Sequence, residues 1–137
     1  DWLKVCLIGV WISLKILKLL IFFGKIIADP PKINKNVLVN IEPIENTFQL
    51  LSCSILSGSE PIFFTWSKDD LPLRETNDFK IETDKQFSLV KIQTTNRNDS
   101  GRYSCQVRNA FGIDSLIFRL NVKGFCDYLI IKVFIHG

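Results

Sequence analysis

The chain has 137 residues, of which 47% are hydrophobic and 23% charged, with a formal charge of +3. That length holds one domain with a real core plus flanks. Lys4, Lys15, Lys18 and Lys25 against Asp1 supply the whole excess, because residues 29–124 hold 12 Lys and Arg against 12 Asp and Glu. A neutral central stretch with scattered charges leaves no electrostatic footprint for nucleic acid, so the basic total is no guide to partners.

Residues 2–28 read WLKVCLIGVWISLKILKLLIFFGKIIA. Lys15 and Lys18 break this apolar run before it reaches the length of a spanning helix. Ala28 suits the last position before a signal-peptide cut, whereas Ile26 does not. Two readings stand for residues 1–28: a secretory or anchoring helix, or sequence outside the mature protein, with the second favoured. A helix here expresses local propensity with nothing evident to pack on. The chain contains no Met and is taken as a piece of a longer protein.

Pro30-Pro31 imposes an extended lead-in and forbids a helix. Ile33, Val37, Val39 and Ile41 then alternate as an edge strand would, in two short pieces. Glu42 to Asn46 is a turn. Phe48 to Ile55 is the second strand, with Leu51, Cys53 and Ile55 inward; Gln49 falls on that face where an aliphatic residue is expected, at a sheet end or a bulge. A loop at Ser57 to Pro61 leads to the third strand, Ile62 to Lys68, with Phe64 and Trp66 inward. Asp69 to Pro72 turns the chain, and Leu73-Arg74 adds a short edge strand. Phe79 to Thr83 and Phe87 to Gln93 pair across Asp84-Lys85, with Val90 and Ile92 inward. Asn96 to Ser100 is a corner. Gly101 to Arg108 carries Tyr103, Cys105 and Val107 inward, Asn109 to Gly112 is a hairpin loop with Gly112 free to take a positive φ, and Ser115 to Val122 returns with Leu116, Phe118, Leu120 and Val122 inward. Short strands at regular spacing with turns between them argue an all-β sandwich. In residues 125–137, Leu129 to Ile131 and Val133 to Ile135 read as a strand surplus to the fold, and the tail is set outside the domain.

Four cysteines allow three pairings. Cys53 and Cys105 frame a pattern in which Trp66 follows the first by thirteen residues and Asp99-x-Gly101-x-Tyr103 runs into the second. This pattern resembles an immunoglobulin sandwich, and residues from about Pro30 to Gly124 resemble its I-set class. The resemblance implies two facing sheets of Greek-key topology, a Cys53–Cys105 disulfide across the core, Trp66 packed on the sulfurs and a Tyr103 hydroxyl bonded back to the corner. More narrowly, Pro30-Pro31-Lys32-Ile33, Cys53-Ser54-Ile55-Leu56-Ser57-Gly58, Pro61-Ile62-x-Phe64-x-Trp66-x-Lys68-Asp69 and Phe87-Ser88-Leu89 look like domains of the arthropod Down syndrome cell adhesion molecule (Dscam) family. That likeness implies a cell-surface receptor of many such domains, homophilic recognition of the same or related receptors, and roles in neuronal wiring, axon guidance or self-recognition. Departures stand at Thr95, where the pattern has Leu, at Asp78, where relatives carry an Arg paired with Asp99, and at Gln49; Lys80 or Arg74 are the substitutes for that Arg. Together the departures imply a less stable domain.

A structural disulfide implies an oxidising compartment, hence secretion or the extracellular face of the plasma membrane. Cys6 and Cys126 are left in the flanks, free or paired with each other. The one histidine, His136, lies in the tail, so neither a Ser–His nor a Cys–His dyad can form within the domain, and the expectation is no enzyme. No Gly-rich phosphate loop is present, and Asp69-Asp70 reads as a solvated turn; no cofactor, metal or small-molecule substrate is expected. Asn98-Asp99-Ser100 is an N-glycosylation sequon on an accessible corner. Phe63, Phe87, Leu89 and Ile117 point outward as a candidate adhesive patch. Membrane contact is expected only through the parent receptor or residues 2–28. The rival assignments are a spacer module of an intracellular muscle scaffold, with its cysteines reduced, and a soluble immune or ligand-binding module.

Overall fold

The structure, a computed structural model, describes residues 15–16 and 28–136. Alternation of apolar and polar residues gives each strand one inward side, and two sheets close on those sides. The strands are β1 (Lys32–Ile33), β2 (Asn40–Ile41), β3 (Gln49–Ser57), β4 (Phe63–Lys68), β5 (Leu71–Pro72), β6 (Phe79–Thr83), β7 (Phe87–Ile92), β8 (Gly101–Asn109) and β9 (Gly112–Leu120). One sheet has the order β1-β3-β7-β6 and the other β2-β9-β8-β4-β5. The chain changes sheet between β1 and β2, β2 and β3, β3 and β4, β5 and β6, and β7 and β8, which is the expected Greek-key sandwich. Lys15 and Ile16 are helical; the rest of the N-terminal helix reading, with Cys6, lies outside the described residues.

The first strand does come in two pieces, and they serve different sheets. β1 pairs antiparallel with β3, while β2 pairs parallel with β9. Asp114 ties the two pieces' surroundings together: its Oδ2 accepts from the Ile33 N–H at 2.9 Å and its Oδ1 from Lys35 Nζ at 3.0 Å. The sheets are thus closed along this side by one carboxylate as well as by packing.

Four details differ from expectation. The short edge strand is Leu71–Pro72 and not Leu73-Arg74, because Asp69 (φ 49°) and Asp70 (φ 67°) both adopt left-handed conformations and make a two-residue hairpin that sets Lys68 opposite Leu71. Gly112 has no positive φ; what it provides is space, since a Cβ there would lie 2.9 Å from Pro30 Cβ. The last strand begins at Gly112, not Ser115, because Asn109 pairs with Gly112 and closes the hairpin tightly. The tail is a helix, α1 (Phe125–His136), and not a strand. β9 already has β8 on one side and β2 on the other, so no ladder is open for the chain that follows it. The Phe125 N–H instead reaches Glu45 Oε1 at 3.2 Å and Arg97 pairs with Asp127 at 3.3 Å, which fixes the helix to the end of the domain. An apolar run this short is ambiguous between the two states by pattern alone.

The core holds Leu51, Cys53, Val90, Ile92, Tyr103, Cys105 and Val107, all fully buried, with Trp66, Phe118 and Leu120 nearly so. Cys53 and Cys105 are joined. Trp66 lies in register beside Cys105, and Ser88 lies in register beside Cys53. The indole stacks on Phe118 at 5.9 Å between ring centroids, and its Nε1–H donates to Ser88 Oγ at 2.9 Å. A covalent bond and a buried hydrogen bond therefore cross the core in a single layer. Gln49 sits half-buried at the sheet end opposite Ile92, as one of the two expected placements had it.

Ser88→Ala should cost about 1–3 kcal/mol by leaving the buried indole N–H without an acceptor, read as a shift of the urea midpoint at unchanged slope; in a Trp66→Phe background the same change should cost much less. A pH series gives the second check. Burial alone would raise the Asp114 carboxyl, but the hydrogen bonds from the Ile33 N–H, Lys35 and the Ser115 N–H outweigh it and hold the group below its ordinary value. A lowered folded-state pKa stabilises above the unfolded value, about pH 4, and that stabilisation disappears as pH falls through the folded value. Thermal midpoints should drop below about pH 4 by more in the native protein than in Asp114→Asn.

Candidate functional site

The corner before β8 is built by a short 3₁₀ turn, Arg97–Asp99, capped by Asn96. Asn96 Oδ1 accepts from the Asn98 N–H at 2.8 Å, and Asp99 Oδ2 accepts from the Asn96 N–H at 2.7 Å. This reciprocal capping spends the Asp99 carboxylate on the backbone. Among the described residues no Lys or Arg forms an ion pair with Asp99, so neither Lys80 nor Arg74 substitutes for the Arg that Asp78 replaces; the cap does that work instead. The Tyr103 hydroxyl donates to the Asp99 carbonyl at 2.6 Å. Burial, then the nearby Asp99 and Asp69 charges, push that phenol well above its ordinary range, so it stays a neutral donor. Gly101 has φ +155°, and a Cβ there would meet the Asp69 carboxylate at 2.7 Å, while that carboxylate accepts from the Arg102 N–H at 2.9 Å.

Thr95, read as a departure that weakens the core, is fully buried and fully bonded. Its hydroxyl donates to the Ile44 carbonyl at 3.0 Å and accepts from the Thr47 N–H at 3.2 Å. Asn109, read only as a hairpin residue, is a clamp. Its Nδ2 donates to the Asp29 and Ser59 carbonyls at 2.7 and 3.0 Å, and its Oδ1 accepts from the Phe111 and Gly112 N–H groups. Ser88, Thr95, Asn109 and Asp114 are thus the residues that pattern reasoning missed. Their signal, a polar side chain at an inward or end position of a strand, is the same signal that an exposed rim residue gives.

The four outward apolar residues do not form one patch. Phe63 on β4 and Ile117 on β9 belong to the five-stranded sheet, whereas Phe87 and Leu89 on β7 belong to the four-stranded sheet, and the outer sides of the two sheets face opposite ways. Phe87 has exposed Leu50 and Leu56 on the neighbouring β3 and the Lys91–Glu82 ion pair (2.7 Å) on its own face. Phe63 lies beside Arg108, whose guanidinium sits 5.9 Å from the ring centroid. Asn98 is exposed, and the sequon's Ser100 hydroxyl accepts from the Val122 N–H at 2.9 Å. Beyond β5 the edge of β4 opens onto a groove of about 610 Å³ lined by Phe64, Trp66, Leu73 and Ile81. Among the described residues no three of His, Cys, Asp or Glu converge as a metal site requires, and Cys126 is an exposed free thiol. No helix of those residues is long and apolar enough to cross a membrane.

Comparison with known proteins agrees with this architecture. The chain is 34% identical to mouse (Mus musculus) hemicentin-1 over 95 residues, 68% of this chain and 2% of that protein. It is 36% identical to the cell adhesion molecule DSCAM of Rattus norvegicus over 73 residues, 53% of this chain and 3% of that protein. Among solved structures, a three-domain titin I-band fragment, I67–I69, superposes with a TM-score of 0.64 at 26% identity, covering 69% of this chain and 33% of that one. The chain spans no more than 3% of the length of either curated relative. The family profile of the immunoglobulin I-set domain matches residues 31–122, and the chain belongs to that family.

Proposed function

We propose that residues 29–124 are a non-catalytic, protein-binding module of a cell-surface adhesion receptor, exposed on the extracellular face of the plasma membrane. The module associates with the same or related receptors, in neuronal wiring, axon guidance or self-recognition, and needs no cofactor, nucleic acid or small-molecule substrate. The buried Cys53–Cys105 bond carries this reading. Such bonds form and persist in oxidising compartments, and likeness to the cell adhesion molecule DSCAM supports an adhesive role there. The face that fits self-association is the outer side of the four-stranded sheet. It combines Leu50, Leu56, Phe87 and Leu89 with charges of both signs, so a second copy turned over it finds apolar against apolar and Lys against Glu. Asn98, exposed on the 3₁₀ turn, carries the glycan in this reading.

Beads coated with the domain should cluster, and Phe87→Asp with Leu89→Asp should abolish clustering while leaving the unfolding midpoint nearly unchanged. Clustering that survives both substitutions removes this face from the proposal. The second reading, a spacer in an intracellular muscle scaffold, is favoured by the titin superposition. Thiol alkylation of the protein as isolated from its source separates the two. The adhesion reading requires Cys53 and Cys105 to resist alkylation until reduced, and alkylation without reductant supports the scaffold.

A further inference from the structure

The outer side of the five-stranded sheet differs from its counterpart in charge and composition. Register places Arg102 of β8 directly beside Arg119 of β9, and Arg108 beside Phe63 and Ile113. Between these ends the outward positions are Ser67, Ser104 and Ile117, then Thr65, Gln106 and Ser115. No strand position on this side is Lys, Asp or Glu; of the two carboxylates in the β4–β5 turn, Asp70 pairs with the Arg102 side chain and Asp69 accepts from its backbone N–H. Among the described residues the Arg119 guanidinium meets no carboxylate, and like charges directly opposite on a sheet are unfavourable.

Arginine with Phe and Ile, and no Lys, is the composition of protein interface cores and not of ordinary solvated surface. Resting on the reading of the domain as a binding module, we propose that this face docks a different protein, one presenting carboxylates around an apolar centre. The arginines at the two ends, about 20 Å apart at the rise of a strand, take carboxylates bidentately. Phe63, Ile113 and Ile117 supply the apolar contacts. A second copy of this face is a poor occupant, because a two-fold pairing sets three arginines against three, and in each copy only Arg102 has an ion-pair partner, Asp70. The exposed hydroxyls and amide between the ends suit hydrogen bonds at a wet rim.

The test is backbone-amide NMR mapping on the full chain with three probes: a soluble Glu-rich peptide with interspersed Phe, the same peptide with Gln for Glu, and a heparin oligosaccharide. The Glu peptide should shift amides of β4, β8 and β9, and Arg102→Ser with Arg119→Ser should weaken it about tenfold or more with the rest of the spectrum unchanged. Equal binding of the Gln peptide, shifts confined to the four-stranded sheet, an unaffected double variant, or preference for heparin on the same amides each overturns the proposal. Sedimentation of the same samples keeps the two ideas apart: the double arginine variant leaves self-association intact, and the Phe87 and Leu89 variant leaves the Glu peptide bound.

Discussion

Two facing sheets stay in one register because a single layer of the core is cross-linked twice. Cys53 and Ser88 are neighbours in one sheet, Trp66 and Cys105 are neighbours in the other, and the links run Cys53 to Cys105 and Trp66 to Ser88. The disulfide closes a sequence separation of 52 residues, worth about 4 kcal/mol in the chain-entropy account. The indole bond adds less, but it fixes direction. A sheet slipped by one residue would take Ser88 out of the core and expose the facing side chains to solvent. Thr83 Oγ1 lies 2.8 Å from Ser88 Oγ, so the hydroxyl is held from its own sheet as well.

Away from that layer the ends of the sandwich are held by polar side chains whose bonds go to backbone. Thr95 and Tyr103 close the end near the 3₁₀ turn, and Asn109 closes the opposite end by joining the lead-in, the β3–β4 loop and the β8–β9 hairpin. Among the described residues no buried side-chain polar atom lacks a partner. Each of these bonds is modest by itself and costly to break, because the partner left behind is buried. The consequence for function is a division of labour. Register and shape are set by inward and terminal groups, so the outward positions of both sheets are free to vary in chemistry without loss of the fold.

The sheets, their inward residues and the corner were legible from sequence because they rest on periodicity and on a spaced motif, both local in one dimension. Val90 and Ile92 or Leu116 and Phe118 have no alternative once the alternation is fixed. The departures at Thr95 and Asp78 looked like defects because only the usual pairing was in view. Bonds to Ile44 and Thr47, and a reciprocal cap by Asn96, come from residues whose proximity only the fold creates. The tail failed for a different reason. Its β-branched run fits a strand, and what decided against it is the occupied flank of β9, a property of topology. The outward apolar residues failed as one patch because alternation tells outward from inward, and nothing in it tells which of two outward sides a strand presents.

Charge shows the same limit in its strongest form. A balanced count over residues 29–124 describes the field far from the domain, yet contact is governed within a screening length of about 10 Å. Folding sorts the charges: Lys91 and Glu82 meet on one sheet, Asp114 is spent on β1 and Lys35, and Asp99 on its own cap. What remains on the outer five-stranded side is arginine, with carboxylates only in the turn at Asp69 and Asp70. A face of that kind repels its own copy and a face of mixed sign attracts it, so one neutral sandwich carries two surfaces with opposite rules for what they accept.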